Sequence, residues 1–408
     1  MSDTGSRFLP SGSSNQRRMM EASKAGTAVR PKILMIAGEA SGDSRGAELI
    51  RAIRKKVPES VFFGIGGDRM AGAGMEIRRH VRETAFLGFL EVIRHLPFIR
   101  RVFREMTRFL DERNPDLVIL VDYPGFNLRF AGIAKKRGFR VVYYISPQIW
   151  AWGGGRIRKI RKTVDHMIVV FPFEESFYGR AGVPVTFVGH PLTDTFHVEE
   201  TRESFFASLD LDAGGKTLGL LPGSRKQEVR RLLPEMVGAA RILKTRIPGL
   251  QCVVGQSPTL SDEDYAPFLS GTDIRGVRGR THALMRHCDA LAVASGTATL
   301  EAAVAGTPMV VVYKMAPLSY RIGKRLVRVE HIGLVNIVAG RRLVPELIQS
   351  GARSERIAGT LWPLLVEEDP IRFMREGLRE TVSRLGEPGA ADRAADVVVR
   401  FLGGADKG

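Results

Sequence analysis

LVILVDYPGFNLRFAGIAKKRGFRVVYYI, residues 117–145, holds two unbroken apolar runs, LVILV and VVYYI, on either side of one amphipathic stretch. Strands covered on both faces of a parallel sheet read as continuous runs of this kind, because neither face meets water. The stretch from Leu128 to Arg137 predicts a helix, and Gly138 predicts its stop. Strand, helix and strand in that order form one unit of a parallel α/β fold.

The same rhythm extends in both directions. Upstream, strands are predicted at Ile33 to Ala37 and Val61 to Ile65, with helices at Gly46 to Lys56 and Ile99 to Arg113; downstream, strands follow at Met167 to Phe171 and Thr186 to Val188. A charged, weakly apolar passage from His197 to Lys216 interrupts the pattern, which then restarts. Strands at Leu218 to Leu221, Gln251 to Val254, Ala290 to Ala294 and Met309 to Tyr313 alternate with helices at Glu228 to Arg246, His282 to His287 and Ala298 to Ala305. The expected organisation is a disordered leader over 1–30, one open α/β sheet over 31–196, a second over 197–369, and helices over 370–408 that can fold back on the first domain. A chain of 408 residues has room for two such cores.

Hydrophobic residues make up 44% and charged residues 26%, which excludes wholesale disorder and fibrous repeats. The two cysteines, Cys252 and Cys288, are too few for a disulfide framework and fit a reducing, cytoplasmic compartment. Sixty-one Lys and Arg against 44 Asp and Glu give a net charge of +17, which favours an anionic partner. The leader lacks an apolar run long enough for a signal peptide. The apolar stretch Ala290 to Tyr313 carries too many breakers and a central carboxylate, Glu301, to cross a membrane.

Open α/β sheets bind ligands beyond the carboxyl ends of their strands, so the loops that follow strands come next. GEASGDSRG, Gly38 to Gly46, offers a close backbone approach and the capping residues Ser41, Asp43 and Ser44, and reads as a ligand loop or an ordinary tight turn. DYPGFN sets Asp122 at a strand end, as a general base toward a hydroxyl or as a turn residue. LLPGSRKQE places Gly223, Ser224 and Arg225 at a helix N-terminus, an arrangement suited to pyrophosphate or to a simple cap. ASGTATLEA repeats that logic with Ser295, Gly296 and Thr297, and adds Glu301 one turn inside the helix as an acceptor for ribose hydroxyls or a partner for a local Arg. Together the two loops suggest a nucleoside diphosphate.

Other patterns are rejected. GGKT at Gly214 to Thr217 lacks the first Walker glycine and precedes a strand. Asp210 with Asp212 and Asp262 with Asp264 follow no convincing strand, and the eight His show no paired ligand spacing, so no metal and no cofactor is expected. From Phe86 to Leu110 an apolar stripe is ringed by five Arg, and further cations lie in Gly153 to Lys162 and at Arg321, Lys324, Arg325 and Arg328. These read as solvated helix faces or as a surface for an anionic bilayer. No nucleic-acid motif accompanies them.

The set ILMIAGEASGD, DYPGFN, SPQIWAWGGGRIRKI, FPFEESFY, FVGHPL, LLPGSR, ASGTATLEA and LVNIVAGRRLVPELIQ closely resembles the lipid-A-disaccharide synthase family, in order and from about residue 32 onward. The resemblance implies two Rossmann-like domains facing across a cleft, the glycosyltransferase-B architecture. It also implies an inverting, metal-independent transfer of 2,3-diacylglucosamine from its UDP donor to 2,3-diacylglucosamine 1-phosphate, on the path to lipid A. Asp122 then falls on the base, and Arg225, Glu301 and Asn336 fall near UDP. Ser41, Gly42, Asp43, Gln148 and His190 fall near substrate, with Gln148, Trp150 and His190 either catalytic or only shaping the site. A peripheral place on the cytoplasmic face of the inner membrane and a homodimer with exchanged C-terminal parts are implied as well. Another glycosyltransferase of this architecture, a UDP-sugar epimerase and a non-enzymatic basic protein are the alternatives.

Overall fold

A computed structural model describes residues 30–84, 96–150, 154–316, 320–321 and 330–403. The leader, the Phe86 to His95 part of the basic stretch, and Lys324, Arg325 and Arg328 lie outside the described residues. The chain forms two units, one of Met1–Pro191 with Pro388–Gly408, the other of Leu192–Glu387.

In the first unit β1 (Lys32–Ala37), β2 (Val61–Gly66), β3 (Glu76–His80), β4 (Leu117–Val121), β5 (Val141–Tyr144), β6 (His166–Val169) and β7 (Val185–Phe187) make one sheet ordered β3-β2-β1-β4-β5-β6-β7. Every pairing is parallel. All five residues of β4 are buried, as its unbroken apolar run requires. The order reverses between β1 and β4, so the loops after these two strands border the crevice in which open sheets receive ligands.

The second unit repeats the plan. β8 (Thr217–Leu221), β9 (Gln251–Gln256), β10 (Arg275–Arg278), β11 (Ala290–Ala294), β12 (Met309–Tyr313) and β13 (Glu346–Ile348) are ordered β10-β9-β8-β11-β12-β13, again all parallel. Its reversal lies between β8 and β11, the strands that carry the LLPGSR and ASGT loops.

Two boundaries differ from those expected. The second unit runs to Glu387 rather than residue 369, because the helix Glu368–Ser383 packs on the helices Ala298–Ala305, Leu334–Ala339 and Ser354–Val366 of that unit. Only the last helix, Ala390–Gly403, returns to the first unit of its own chain, where it packs along Ala40–Lys56. The first unit ends at Pro191 rather than residue 196.

Candidate active site

β4 delivers Asp122 at the reversal point of the first sheet. Asp122 and Tyr123 both take left-handed backbone, φ +45° and +47°, before Pro124 opens the helix Pro124–Lys136. Such backbone is uncommon for residues other than glycine and needs outside support. Asp122 N donates to Tyr144 O at 3.0 Å. Its carbonyl accepts from Asn127 Nδ2 at 2.7 Å and from the Tyr143 hydroxyl at 2.5 Å. The neighbouring strand and the first turn of the next helix therefore clamp the main chain at Asp122. Burial pushes the Asp122 carboxyl up to about 6, and the charge of Glu39 after β1 adds to the rise, against one bond from Tyr123 N. A carboxylate so placed exchanges its proton close to neutral pH.

The glycines of the first loop serve packing within the protein. A Cβ on Gly38 would lie 2.1 Å from the Tyr123 ring, so only glycine lets that ring sit there. A Cβ on Gly42 would lie 3.3 Å from Ala37 Cβ, close against the end of β1. Asp43 is buried, and its carboxylate accepts from Gly67 N at 2.6 Å, Met70 N at 3.0 Å and Arg69 N at 3.1 Å. It fastens the loop after β2, with both carboxylate oxygens bonded to backbone N–H groups. Ser41 is exposed.

The loops after β5, β6 and β7 line the same sheet edge. Gln148 is exposed in the first of these, buried Glu174 stands in the first turn of the helix to which the second leads, and His190 stands in the third, its ring 5.0 Å from that of Phe171. Burial, helped by the charge of Arg45, pushes the His190 imidazole down to about 4, so it is neutral at physiological pH.

In the second unit Gly223 has φ +104°, Arg225 precedes the helix Lys226–Arg246, and the Arg225 side chain is 75% exposed. Two backbone donors just before this helix are already engaged. Glu228 Oε2 accepts from Ser224 N at 3.1 Å and Arg225 N at 3.3 Å, while Oε1 lies 3.3 Å from Arg225 Nη1. An anion at this loop meets the exposed Arg225 side chain, and reaches the Ser224 and Arg225 amides only by displacing Glu228.

The loop after β11 is tied to a more distant segment. Ser295 Oγ donates to Ile332 O at 2.8 Å, and Thr297 stands exposed at the start of Ala298–Ala305 with half-buried Glu301 within it. Glu346 of β13 accepts from Ile332 N at 3.0 Å and Gly333 N at 2.9 Å. Asn336 is fully buried; it donates to Val344 O and Glu346 Oε1 and accepts from Leu343 N and Val344 N, each at 2.9 Å. An amide has four hydrogen-bonding valences, and all four are filled. Asn336 thus holds the 332–346 segment in shape rather than offering its amide to a ligand.

Sequence reasoning passed over Glu39, Tyr143, Glu174, Glu228 and Glu346. Glu228 carried a readable signal, since a Glu three residues after a helix N-cap is the capping-box spacing. Among the described residues no group of three His, Cys, Asp or Glu side chains could hold a metal ion.

Two parallel-sheet α/β units, each with loops at a sheet reversal, define a two-unit Rossmann-like class. The fold is shared with the UDP-GlcNAc 2-epimerase of Neisseria meningitidis (TM-score 0.59, 12% identity, 91% of this chain and 99% of that one) and with the calicheamicin glycosyltransferase CalG4 (TM-score 0.57, 18% identity, 92% and 99%). Residues 33–400 match the family described as lipid-A-disaccharide synthetase, and the chain belongs to that family. The lipid-A-disaccharide synthase of Trichlorobacter lovleyi is 50% identical over 376 residues, 91% of this chain and 98% of that protein; that of Geobacter metallireducens is 45% identical over 382 residues, 93% and 99%.

Proposed function

We propose that this chain transfers 2,3-diacylglucosamine from its UDP donor to the 6-hydroxyl of 2,3-diacylglucosamine 1-phosphate, giving the β-1,6-linked disaccharide 1-phosphate and UDP. The family match over residues 33–400 carries this reading. An α-linked donor that yields a β product reacts with inversion, which needs one in-line attack, one base and a stabilised leaving group. Asp122 is the base and takes the acceptor hydroxyl proton, a role its raised pKa suits. The exposed Arg225 guanidinium meets the pyrophosphate and offsets the charge that grows on departing UDP, with the Ser295 to Thr297 loop and Glu301 holding the nucleoside. The likeness to a UDP-GlcNAc 2-epimerase is at 12% identity and extends to the fold alone.

The deciding experiment measures UDP release from UDP-2,3-diacylglucosamine with and without the 1-phosphate acceptor, in buffer containing a chelator. Acceptor-dependent release with a disaccharide product is expected. Release without acceptor would favour an epimerase or hydrolase, and loss of turnover in chelator would contradict a metal-independent transfer.

The site of action we assign is an anionic membrane surface on the cytoplasmic side of the inner membrane, where acylated substrates reside. Among the described residues no helix is long and apolar enough to cross a membrane. The helices Leu96–Arg113, Pro124–Lys136 and Ile157–Thr163 instead border a cavity of about 900 Å³ with Phe103 and Ile133 in its wall and Arg100, Arg104, Arg129 and Lys159 around it. Among the described residues none of these four cations lies within ion-pair distance of a carboxylate; burial and the charges of Arg129 and Arg156 push the Lys159 ammonium pKa down. Unpaired cations beside apolar surface attract acidic headgroups. Vesicles containing phosphatidylglycerol are expected to capture the protein at low salt and lose it as salt rises, and phosphatidylcholine vesicles to capture little. Equal capture by both would remove the electrostatic argument.

A further inference from the structure

The motifs SPQIW and FPFEESFY have no part in the chemistry above, yet they meet in one buried cluster. Glu174 is 1% exposed and stands in the first turn of the helix Pro172–Arg180 that follows β6. Its Oε1 accepts from Ser146 Oγ at 2.7 Å and Trp150 Nε1 at 3.1 Å, both from the loop after β5. Its Oε2 accepts from Phe171 N at 3.2 Å. The Tyr178 hydroxyl closes the cluster 3.0 Å from Ser146 Oγ, and the Trp150 ring meets Phe173 edge-on at 4.9 Å.

The loop held in this way needs holding. Ile145 has φ +62°, a costly conformation for a β-branched residue, and it follows Tyr144, whose carbonyl accepts from Asp122 N. The buried carboxyl therefore restrains the chain two residues beyond the contact that fixes the proposed base. The groups that face it are two hydroxyls, one indole N–H and the backbone of Val170 and Phe171; among the described residues no cation is paired with it. His190, on the far loop, packs on Phe171 and is neutral.

We propose that Glu174 is a positioning residue for the transfer, locking the 145–150 loop so that Gln148 and Trp150 form the acceptor-side wall beside Asp122. The proposal rests on the transferase reading above. Burial pushes the Glu174 carboxyl up to about 7, opposed by the bonds from Ser146, Phe171, Trp150 and Val170, so the lock carries a proton that exchanges near neutral pH.

The test joins an optical and a kinetic readout. With Trp152 and Trp362 replaced by Phe, Trp150 is the one indole in the chain. Its emission is expected to titrate with a midpoint near 7, and Glu174→Gln, whose amide does not ionise, to abolish that titration. Glu174→Ala is expected to lower kcat about 10- to 100-fold and raise the acceptor KM, as loss of positioning does, while UDP affinity stays within about twofold. Trp150→Phe added to Glu174→Ala is expected to cost far less than Trp150→Phe alone, because the two residues act as one unit. Trp150 emission left unchanged by Glu174→Ala overturns the proposal, since the indole N–H is then not held by Glu174. Wild-type kcat and acceptor KM in folded Glu174→Ala do so as well. The emission reads the lock even in a protein that transfers no sugar, so failure of the transferase reading is distinguishable from failure of the lock.

Discussion

Asp122 draws its raised pKa from two sources at different places in the chain, the burial of its own loop and the charge on Glu39 eighty-three residues earlier. As a base it works ionised, so turnover should fall as pH drops through about 6. Glu39→Gln removes a charge that raises this value, and the acidic limb of the pH–rate profile should move to lower pH; an unmoved limb would mean another group titrates there. Asp122→Asn should lower kcat by about 10² to 10⁴ with UDP affinity nearly unchanged. Its effect on stability has the opposite sign. The folded-state pKa lies above the ordinary aspartate value of 3.8, so the native chain holds a proton that the unfolded chain releases, and stability is lost as pH rises from about 4 to about 6. Asn has no charge to desolvate, so the variant should melt above the wild type at pH 8 and lose that advantage below pH 4. At this scale the sequence showed Asp122 and Arg225 by their places after strands. It could not show that Asp43 and Asn336 spend all their polar atoms inside the protein, because that depends on backbone groups brought close only by folding.

Strands buried on both faces were readable almost to the residue, since an apolar run such as LVILV or ALAVA has no other soluble explanation. The edge strands EIRRH of β3 and RGVR of β10 were not, because an edge position tolerates charge and shows no apolar run. β13 is three residues long, yet it carries Glu346, the carboxylate that ties Ile332, Gly333 and Asn336 together. This element predicts how Asn336 should behave. Asn336→Ala strands the buried N–H groups of Leu343 and Val344 and should cost about 2–5 kcal/mol, seen as a lower denaturant midpoint. UDP affinity should weaken along with stability, as the segment that receives Ser295 Oγ loosens. Weaker UDP binding at unchanged stability would instead mean that the Asn336 amide contacts the nucleotide, as the family resemblance implies.

For the whole molecule the decisive fact is that the chain leaves its first unit at Pro191 and returns at Pro388. The periodicity of the tail showed helices. Their division between units was hidden, because both are amphipathic and nothing in an apolar stripe names the surface it will meet. The returning helix buries Ala394, Ala395, Val397, Val398 and Leu402. Arg393 Nε donates to Val188 O at 2.8 Å, Arg140 Nη1 to Phe401 O at 2.6 Å, and Lys56 pairs with Asp396 at 2.7 Å. Burying that apolar face is worth about 1.5–3 kcal/mol for each larger side chain before the cost of ordering the helix, and without it the matching face of the first unit meets water. A chain ending at Glu387 should therefore lose the thermal transition of the first unit and all transferase activity. Its second unit, with helix Glu368–Ser383 intact, should melt as before and bind UDP within about twofold of the full chain. Calorimetry and UDP titration on the same truncated protein separate the outcomes. Retention of both transitions would show that the first unit stands without its C-terminal helix, and loss of UDP affinity would show that the nucleotide loops depend on it.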